Sequence, residues 1–273
     1  MGGRHMLSHL IMTTPRKQFE SLYFIFHDHM LYFSLSDKKL VLPADNPFYK
    51  NDSIFLGNYQ QKKCYLINAI STENNENSGA FISFKEALEH IGLDWFPVAA
   101  RAYQILLWNN NHQFCGACGK KTKKGKEKLE KRCDRCHLSF FPKISPAVIV
   151  MVKRANKILL ARQSQFPKGI YALIAGFMEP GETAEEAVHR EVMEESGIEI
   201  NNIVYAGSQP WPFPDSLMLA FIADYKSGEI ILNDGELEHA DWYDANNLPG
   251  FPSSSISIAR KMIDDFIISH KKT

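Results

Sequence analysis

The chain reads as an α+β protein in three parts: a small mixed N-terminal domain, a cysteine-rich insert and a larger C-terminal α+β domain. Three observations lead there. Aromatic and β-branched runs dominate residues 20–82, as strands do. Four of the five cysteines crowd between Cys115 and Cys136, in a stretch too poor in apolar residues to build a core. Beyond residue 142, short apolar runs flank one Glu-rich helical segment and precede a last amphipathic helix. The length of 273 residues suits about two ordinary domains. The expected boundaries are 1–11 for a tag-like start (Met1-Gly2-Gly3-Arg4-His5-Met6), 12–110, 111–141 and 142–273.

In order, Ser21 to Ser36 holds two aromatic-rich runs around His27-Asp28-His29, which predicts a hairpin. Cys64 to Ile70 is a further strand, and Glu73 to Gly79 a polar loop. Ser83 and Glu86 have capping-box spacing, so a short helix starts there and stops at Gly92. Ala99, Ala102, Tyr103, Leu106 and Leu107 recur at helical spacing over Val98–Trp108, and Asn109-Asn110-Asn111 is expected to interrupt that helix. Ala147–Val152 and Lys157–Ala161 read as strands around Arg154-Ala155-Asn156. A helix over Glu182–Ser196 ends at Gly197; strands at Asp215–Tyr225 and Ala240–Tyr243 follow. The last helix carries Ile258, Met262, Ile263, Phe266 and Ile267 on one face.

Composition excludes several classes. Thirty-one basic residues offset thirty-one acidic ones, so no net field draws the molecule to nucleic acid or membrane. The longest strongly apolar run, Pro146–Val152, falls far short of the roughly 20 residues of a membrane span. No leader-like segment opens the chain. A soluble cytoplasmic protein is expected.

Cys115-x2-Cys118 and Cys133-x2-Cys136 are two knuckles 14 residues apart. Each places two thiolates on one turn, and together they supply the tetrahedral S4 set that structural Zn²⁺ prefers. The ion substitutes for the missing core, because its binding energy becomes folding energy. All four positions are protein ligands, so the site reads as structural. Nine Lys/Arg against three Asp/Glu between Lys120 and Arg135 give a local balance of +6. That suits phosphate or RNA; a solvated coreless loop is the simpler account. Cys64 stands alone and reads as a small buried residue.

Gly176 to Ile198 is the most informative stretch. A loop with Pro180-Gly181 leads into a helix on which Glu191, Glu194 and Glu195 share one face. Ala184 and Ala187 lie beside them and are expected to leave room above the stripe. Adjacent carboxylates repel unless a positive charge sits between them, and Mg²⁺ or Mn²⁺ is the natural partner, taking oxygen ligands while leaving sites for water and phosphate. Arg190, four residues from both Glu186 and Glu194, is placed to hold a glutamate by ion pairing. An exposed salt-bridged helix is the plain alternative, and spacing decides against it. Gly176-x5-Glu182-x7-Arg190-Glu191-Val192-x-Glu194-Glu195-x-Gly197-Ile198 matches every fixed position of the Nudix box. With background frequencies of roughly 5–7% each, seven such matches in register arise by chance on the order of 10⁻⁸ per window.

The chain therefore resembles the Nudix hydrolases. The resemblance implies an α/β/α sandwich with a mixed sheet, and hydrolysis of a nucleoside diphosphate linked to another group, with a metal-activated water attacking phosphorus. It implies Glu191 and Glu195 as main metal ligands, and Glu194 as a third ligand or the base. The Ala175 carbonyl often joins such a site. Glu236 sits where a downstream acidic ligand is expected, with Glu238 as fallback.

Ser208-Gln209-Pro210-Trp211-Pro212-Phe213-Pro214-Asp215-Ser216 alternates three prolines with two aromatics. Proline fixes φ, so a stiff shelf suited to stacking on a base results; a rigid connector with both rings in the core is the other reading. SQPWPFPxS after the box resembles NADH pyrophosphatases of the Nudix family, as do Leu106-Leu107-Trp108 running into Phe114-Cys115 and Ser257-Ile258-Ala259-Arg260 opening the last helix. The resemblance is close from about residue 98 onward. It implies cleavage of NAD(H) to AMP and nicotinamide mononucleotide, or removal of an NAD cap from RNA by the same chemistry. The basic loop from Lys120 to Arg135 is then a candidate RNA path. Substrate contacts are expected at Phe177, Phe141 (a position often tyrosine), residues 209–216 and Ala259, in a homodimer without membrane contact. Lys128 stands where an acidic contact is expected. ADP-ribose hydrolysis and a non-enzymatic nucleotide sensor are the rivals, and the complete acidic box speaks against the latter.

Overall fold

The computed structural model describes residues 21–34, 48, 52–70, 79–232, 235–251 and 256–270. The tag-like start and most of the Glu73–Gly79 loop lie outside them. The chain divides into two compact units, 1–143 and 144–273.

In the first unit, β1 (Ser21–His27) and β2 (Met30–Ser34) form the expected hairpin, with Asp28 in the turn at φ 53°. β3 (Ser53–Tyr59) pairs antiparallel with β4 (Lys62–Asn68), which runs parallel to β1; β5 (Gly79–Ser83) closes the order β3-β4-β1-β2-β5. Alternation sends Phe24, Phe26 and Leu66 to one buried face and Ile25 and Ile67 to the other. α1 (Phe84–Asn111) is capped by Ser83, whose hydroxyl accepts from the Glu86 N–H at 3.1 Å. It breaks where expected, at Gly92 (φ 70°). Asn109–Asn111 do not interrupt it: the helix runs through them to a cap at His112, whose N–H donates to the Trp108 carbonyl. Low helix propensity yields where Val98, Ala99, Ala102, Leu106 and Trp108 bury the preceding turns.

The cysteine insert forms a small sheet of β6 (Lys123–Lys124), β7 (Lys131–Arg132) and β8 (Ser139–Phe140). Its two knuckles share one backbone pattern. Cys115 N–H donates to Lys120 O and Gly119 N–H to Cys115 O; Cys133 N–H donates to Leu138 O and His137 N–H to Cys133 O, all at 2.8–2.9 Å. Gly119 (φ 70°) and His137 (φ 57°) hold the equivalent left-handed position.

The second unit is a mixed sheet between helices. β9 (Ser145–Arg154), β10 (Lys157–Gln163), β12 (Glu199–Trp211), β13 (Ser216–Ser227) and β14 (Leu237–Asp244) take the order β12-β13-β9-β10-β14, and β11 (Ile174–Phe177) pairs with β9. β13 and β9 are parallel; the other pairs are antiparallel. β9 sends Val148, Val150 and Val152 toward α2 (Ala184–Ser196), and Ile149 and Met151 toward α3 (Ile258–His270). Burial on both faces explains its unbroken apolar run. Ala184 and Ala187 do not leave room above the acidic stripe. Ala187 is fully buried and Ala184 packs on the same cluster, so small size lets α2 approach the sheet.

Candidate active site

α2 starts with a reciprocal capping box: Thr183 Oγ1 accepts from Glu186 N–H, and the Glu186 carboxylate accepts from Thr183 N–H at 2.8 Å. It ends at Gly197, φ 71°. Its buried face holds Ala187, Val188, Glu191, Val192, Glu195 and Ser196. Two carboxylates therefore lie among aliphatic residues, Glu191 at 9% and Glu195 at 4% exposure, while the Glu194 side chain is 56% exposed. Burial raises the Glu191 pKa, outweighing the opposite pull of Arg190.

Arg190 is the hub of this cluster. Nε and Nη2 donate to the two oxygens of Glu182 at 2.7 and 3.0 Å; Nη1 donates to Glu191 at 2.8 Å and Glu194 at 3.0 Å; Nη2 also donates to the Phe177 carbonyl at 2.9 Å. Its pKa rises, first through Glu182, and Glu182 is in turn held low by Arg190 and the Glu179 N–H. Of the two glutamates expected within its reach, Glu194 is bound and Glu186 is not, because the cap occupies Glu186. The Arg190 guanidinium thus bridges Glu191 and Glu194.

β11 brings the loop side of the site to this helix. A Cβ on Gly176 would stand 2.0 Å from the Glu191 carboxyl carbon, so any larger residue there would displace that carboxylate. Ala175, one residue earlier, pairs with Ile149; Phe177, one residue later, is 56% exposed. Glu236 lies in the bend before β14, and Glu238 is ion-paired with Arg162, which also donates to the Phe166 carbonyl at 3.0 Å.

The proline-aromatic stretch is the end of a hairpin and not a free loop. Gln209, Pro210 and Trp211 belong to β12, opposite Met218, Leu217 and Ser216. Pro212–Asp215 make the turn, and the Asp215 carbonyl accepts from Ser145 N–H. Trp211 and Phe213 meet edge to face at 5.4 Å, both half-buried, so neither the open shelf nor the core reading holds in full. Ser216 is buried, and Ala259 packs against the α3-side core. Gln209 is tied through both ends of its amide to the start of α3 and the residue two before it, a link across about fifty residues that no local pattern signals. Phe141, in the first unit beyond β8, is exposed.

The four cysteine sulfurs all lie within 4.8 Å of one another, the one group of three or more metal-ligating side chains so clustered among the described residues. Cys118 and Cys133 Sγ are 3.6 Å apart, close to the ~3.8 Å edge of a tetrahedron with ~2.3 Å metal–sulfur bonds. The Lys120 N–H pulls Cys118 down to about 7, and Cys118 in turn pushes Cys136 up to about 12. A cation would relieve that conflict. Around it, Glu130 is buried, accepting from the Glu127 N–H at 3.0 Å and from Ser139 Oγ.

Residues 143–266 match the NUDIX domain family, and residues 20–108 match the NADH pyrophosphatase-like rudimentary NUDIX domain. A Chromobacterium violaceum protein named NAD-capped RNA hydrolase NudC is 42% identical over 209 residues, covering 77% of this chain and 78% of that protein. A Photorhabdus laumondii protein of the same name is 41% identical over 218 residues, covering 80% and 82%. The chain belongs to the Nudix hydrolases. Within them it groups with the NudC proteins, and its N-terminal sheet with α1 is a second, rudimentary Nudix domain. The N-terminal domain carries no box, which is why sequence pattern alone left its kinship unseen. Among the described residues no helix is long and apolar enough to cross a membrane.

Proposed function

We propose that this Nudix hydrolase cleaves the central pyrophosphate of NAD(H) into AMP and nicotinamide mononucleotide, and removes the NAD cap from RNA 5′ ends by cutting the same bond. The observation that carries the reading is the pairing of a folded, complete box with the SQPWPFPxS hairpin in one domain. The names of its relatives support the same substrate.

The oxygen-only donor set, with two buried carboxylates and glycine opposite one of them, fits a hard divalent cation, Mg²⁺ or Mn²⁺. Glu191 and Glu195 would hold it, with Glu194, the Ala175 carbonyl and Glu236 completing the set. Bound there, such a cation neutralises the pyrophosphate oxygens and acidifies the attacking water. Glu194, the most exposed of the three, is suited to take the proton of that water or to join the ligands. Arg190 would serve catalysis by positioning Glu191 and Glu194. Phe177, Phe141, the 209–216 hairpin and the backbone at Ala259 would hold the dinucleotide; stacking on such rings is sequence-tolerant and worth about 1–3 kcal/mol per base. The S4 set of Cys115, Cys118, Cys133 and Cys136 fits structural Zn²⁺. A soluble cytoplasmic homodimer, with binding residues shared across the interface, is the proposed setting.

The test incubates the protein with NADH and with ADP-ribose, with and without Mn²⁺, and identifies products by mass. Metal-dependent AMP plus reduced nicotinamide mononucleotide, lost in Glu194→Gln, is the expected result. Cleavage of ADP-ribose alone overturns the substrate, and cleavage of neither overturns the activity.

A further inference from the structure

Gln209 stands in the hairpin read as a substrate shelf, yet its amide faces another part of the same domain. Nε2 donates to the Ile256 carbonyl, and Oε1 accepts from the Ile258 N–H at 2.7 Å. Ile258 opens α3, so its N–H is one of the four donors that a helix start leaves without an internal partner. A second such donor, Arg260 N–H, is taken by Ser257 Oγ at 3.1 Å. One planar amide thus grips a carbonyl and an N–H two residues apart, and the contact is 47 to 49 residues away in sequence. Only a side chain with one donor and one acceptor on the same carbon can do this; a carboxylate would set an oxygen against the Ile256 carbonyl. Trp211 lies two residues along β12 from Gln209, and Ala259 one residue past the gripped N–H.

We propose that Gln209 is a positioning residue: it locks the first turn of α3 to the proline-aromatic hairpin, and so fixes Ala259 relative to Trp211 before substrate arrives. This rests on the reading of the hairpin and Ala259 as dinucleotide contacts. The lock itself does not depend on that reading. It predicts that the hairpin and the start of α3 act as one preformed wall, lowering the ordering cost of binding.

The experiment compares Gln209→Glu, Gln209→Ala and Ser257→Ala with the unaltered protein. Amide hydrogen exchange at Ile258–Lys261 is read without ligand, and kcat and KM are read on NADH. Both Gln209 variants are expected to speed exchange at Ile258 about tenfold and to raise KM about tenfold, with kcat moving less than about threefold. Gln209→Glu should be at least as severe as Gln209→Ala. Ser257→Ala, which loosens the same turn from the other side, should shift KM in the same direction. A raised KM with unaltered exchange makes Gln209 a direct substrate contact and overturns the lock; unaltered exchange and KM overturn it as well. If the unaltered protein fails to hydrolyse NADH, the substrate reading falls, and the exchange measurement still decides whether the lock exists.

Discussion

Gly176→Ala separates catalysis from stability in a way the geometry makes quantitative. Gly176 has no positive φ, so alanine fits its backbone. The added Cβ would stand 2.0 Å from Glu191 Cδ and 2.1 Å from each of its oxygens, where an ordinary carbon contact is about 3.5–4.0 Å. The obstacle is the tip of a flexible side chain, so the carboxylate retreats by roughly 1.5 Å while β11 and α2 stay in register. That movement breaks the 2.8 Å bond from Arg190 to Glu191 and withdraws a proposed metal ligand. A displacement of about 1 Å near the chemistry can cost about 100-fold. Losing one partly solvated ion-paired bond costs about 1 kcal/mol, or about 2–4 °C in a domain assembly of this size. The expected variant melts within about 4 °C of the parent, hydrolyses NADH at least 100-fold less efficiently, and binds Mn²⁺ more weakly by titration calorimetry. Activity within about threefold of the parent would refute the placement of Glu191 at the reacting centre. A collapse of 15 °C or more would show that the clash is relieved by the backbone, and the reasoning from a mobile carboxylate would fail.

Cys133→Ser is expected to lower bound zinc from about one ion per chain to near none by elemental analysis, and to remove amide protection between residues 113 and 140, because the ribbon has no core to replace the metal; retained protection would refute that. Trp211→Ala and Phe177→Ala should raise KM for NADH about tenfold or more and that for ADP-ribose less, since stacking on nicotinamide is lost only for the first; equal losses would remove the nicotinamide contact from these rings. Lys120, Lys121, Lys124 and Lys126 are exposed and form no ion pair among the described residues. Changing all four to Gln should spare NADH and weaken cleavage of NAD-capped RNA, lowering the slope of log(kcat/KM) against log(salt) by up to about 3, at about 0.7 per phosphate contact on a single strand. Equal loss on both substrates would leave the loop without a part in RNA binding.

What the sequence made legible was whatever depends on neighbours along the chain. The β1–β2 hairpin, the Ser83 cap, the Gly197 stop and both knuckles are settled within a few residues, and each forms where its pattern lies; the start of α2 falls at Ala184, two residues after the expected Glu182, because Thr183 caps it. β12 was hidden for the opposite reason. It is a sheet edge with bulges at three places, and Asn201, Asn202, Val204 and Tyr205 are exposed, so its pattern never settles into period two. It is a strand because β13 pairs with it, and that pairing turned a supposed loop over 208–216 into a hairpin. Asn109–Asn111 went the other way, polar residues carried into a helix by the burial of the turns before them.

The site divides along the same line. The box spacing places Glu191, Glu194 and Glu195 side by side on the helix; Glu191 and Glu195 lie on its buried face and Glu194 stands at the exposed edge. Spacing cannot say that this face turns inward, so the depth of Glu191 and Glu195 and the exposure of Glu194 come only from the packing of α2 on β9 and β11. Nor can it choose among the glutamates within reach of Arg190. Glu186 is nearer in sequence than Glu182, yet the capping box claims Glu186, and the loop folds Glu182 back beneath the guanidinium. Arg190 thereby joins three things that a pattern lists separately: the loop through Glu182, β11 through the Phe177 carbonyl, and the helix through Glu191 and Glu194. Replacing it with lysine keeps the charge but leaves one ammonium where a planar fork served four partners. Arg190→Lys should therefore lose most of the hydrolytic rate although the box keeps its formal charge. Parent-like activity in that variant would mean that charge alone, and not the five-bond geometry, holds the carboxylates in place.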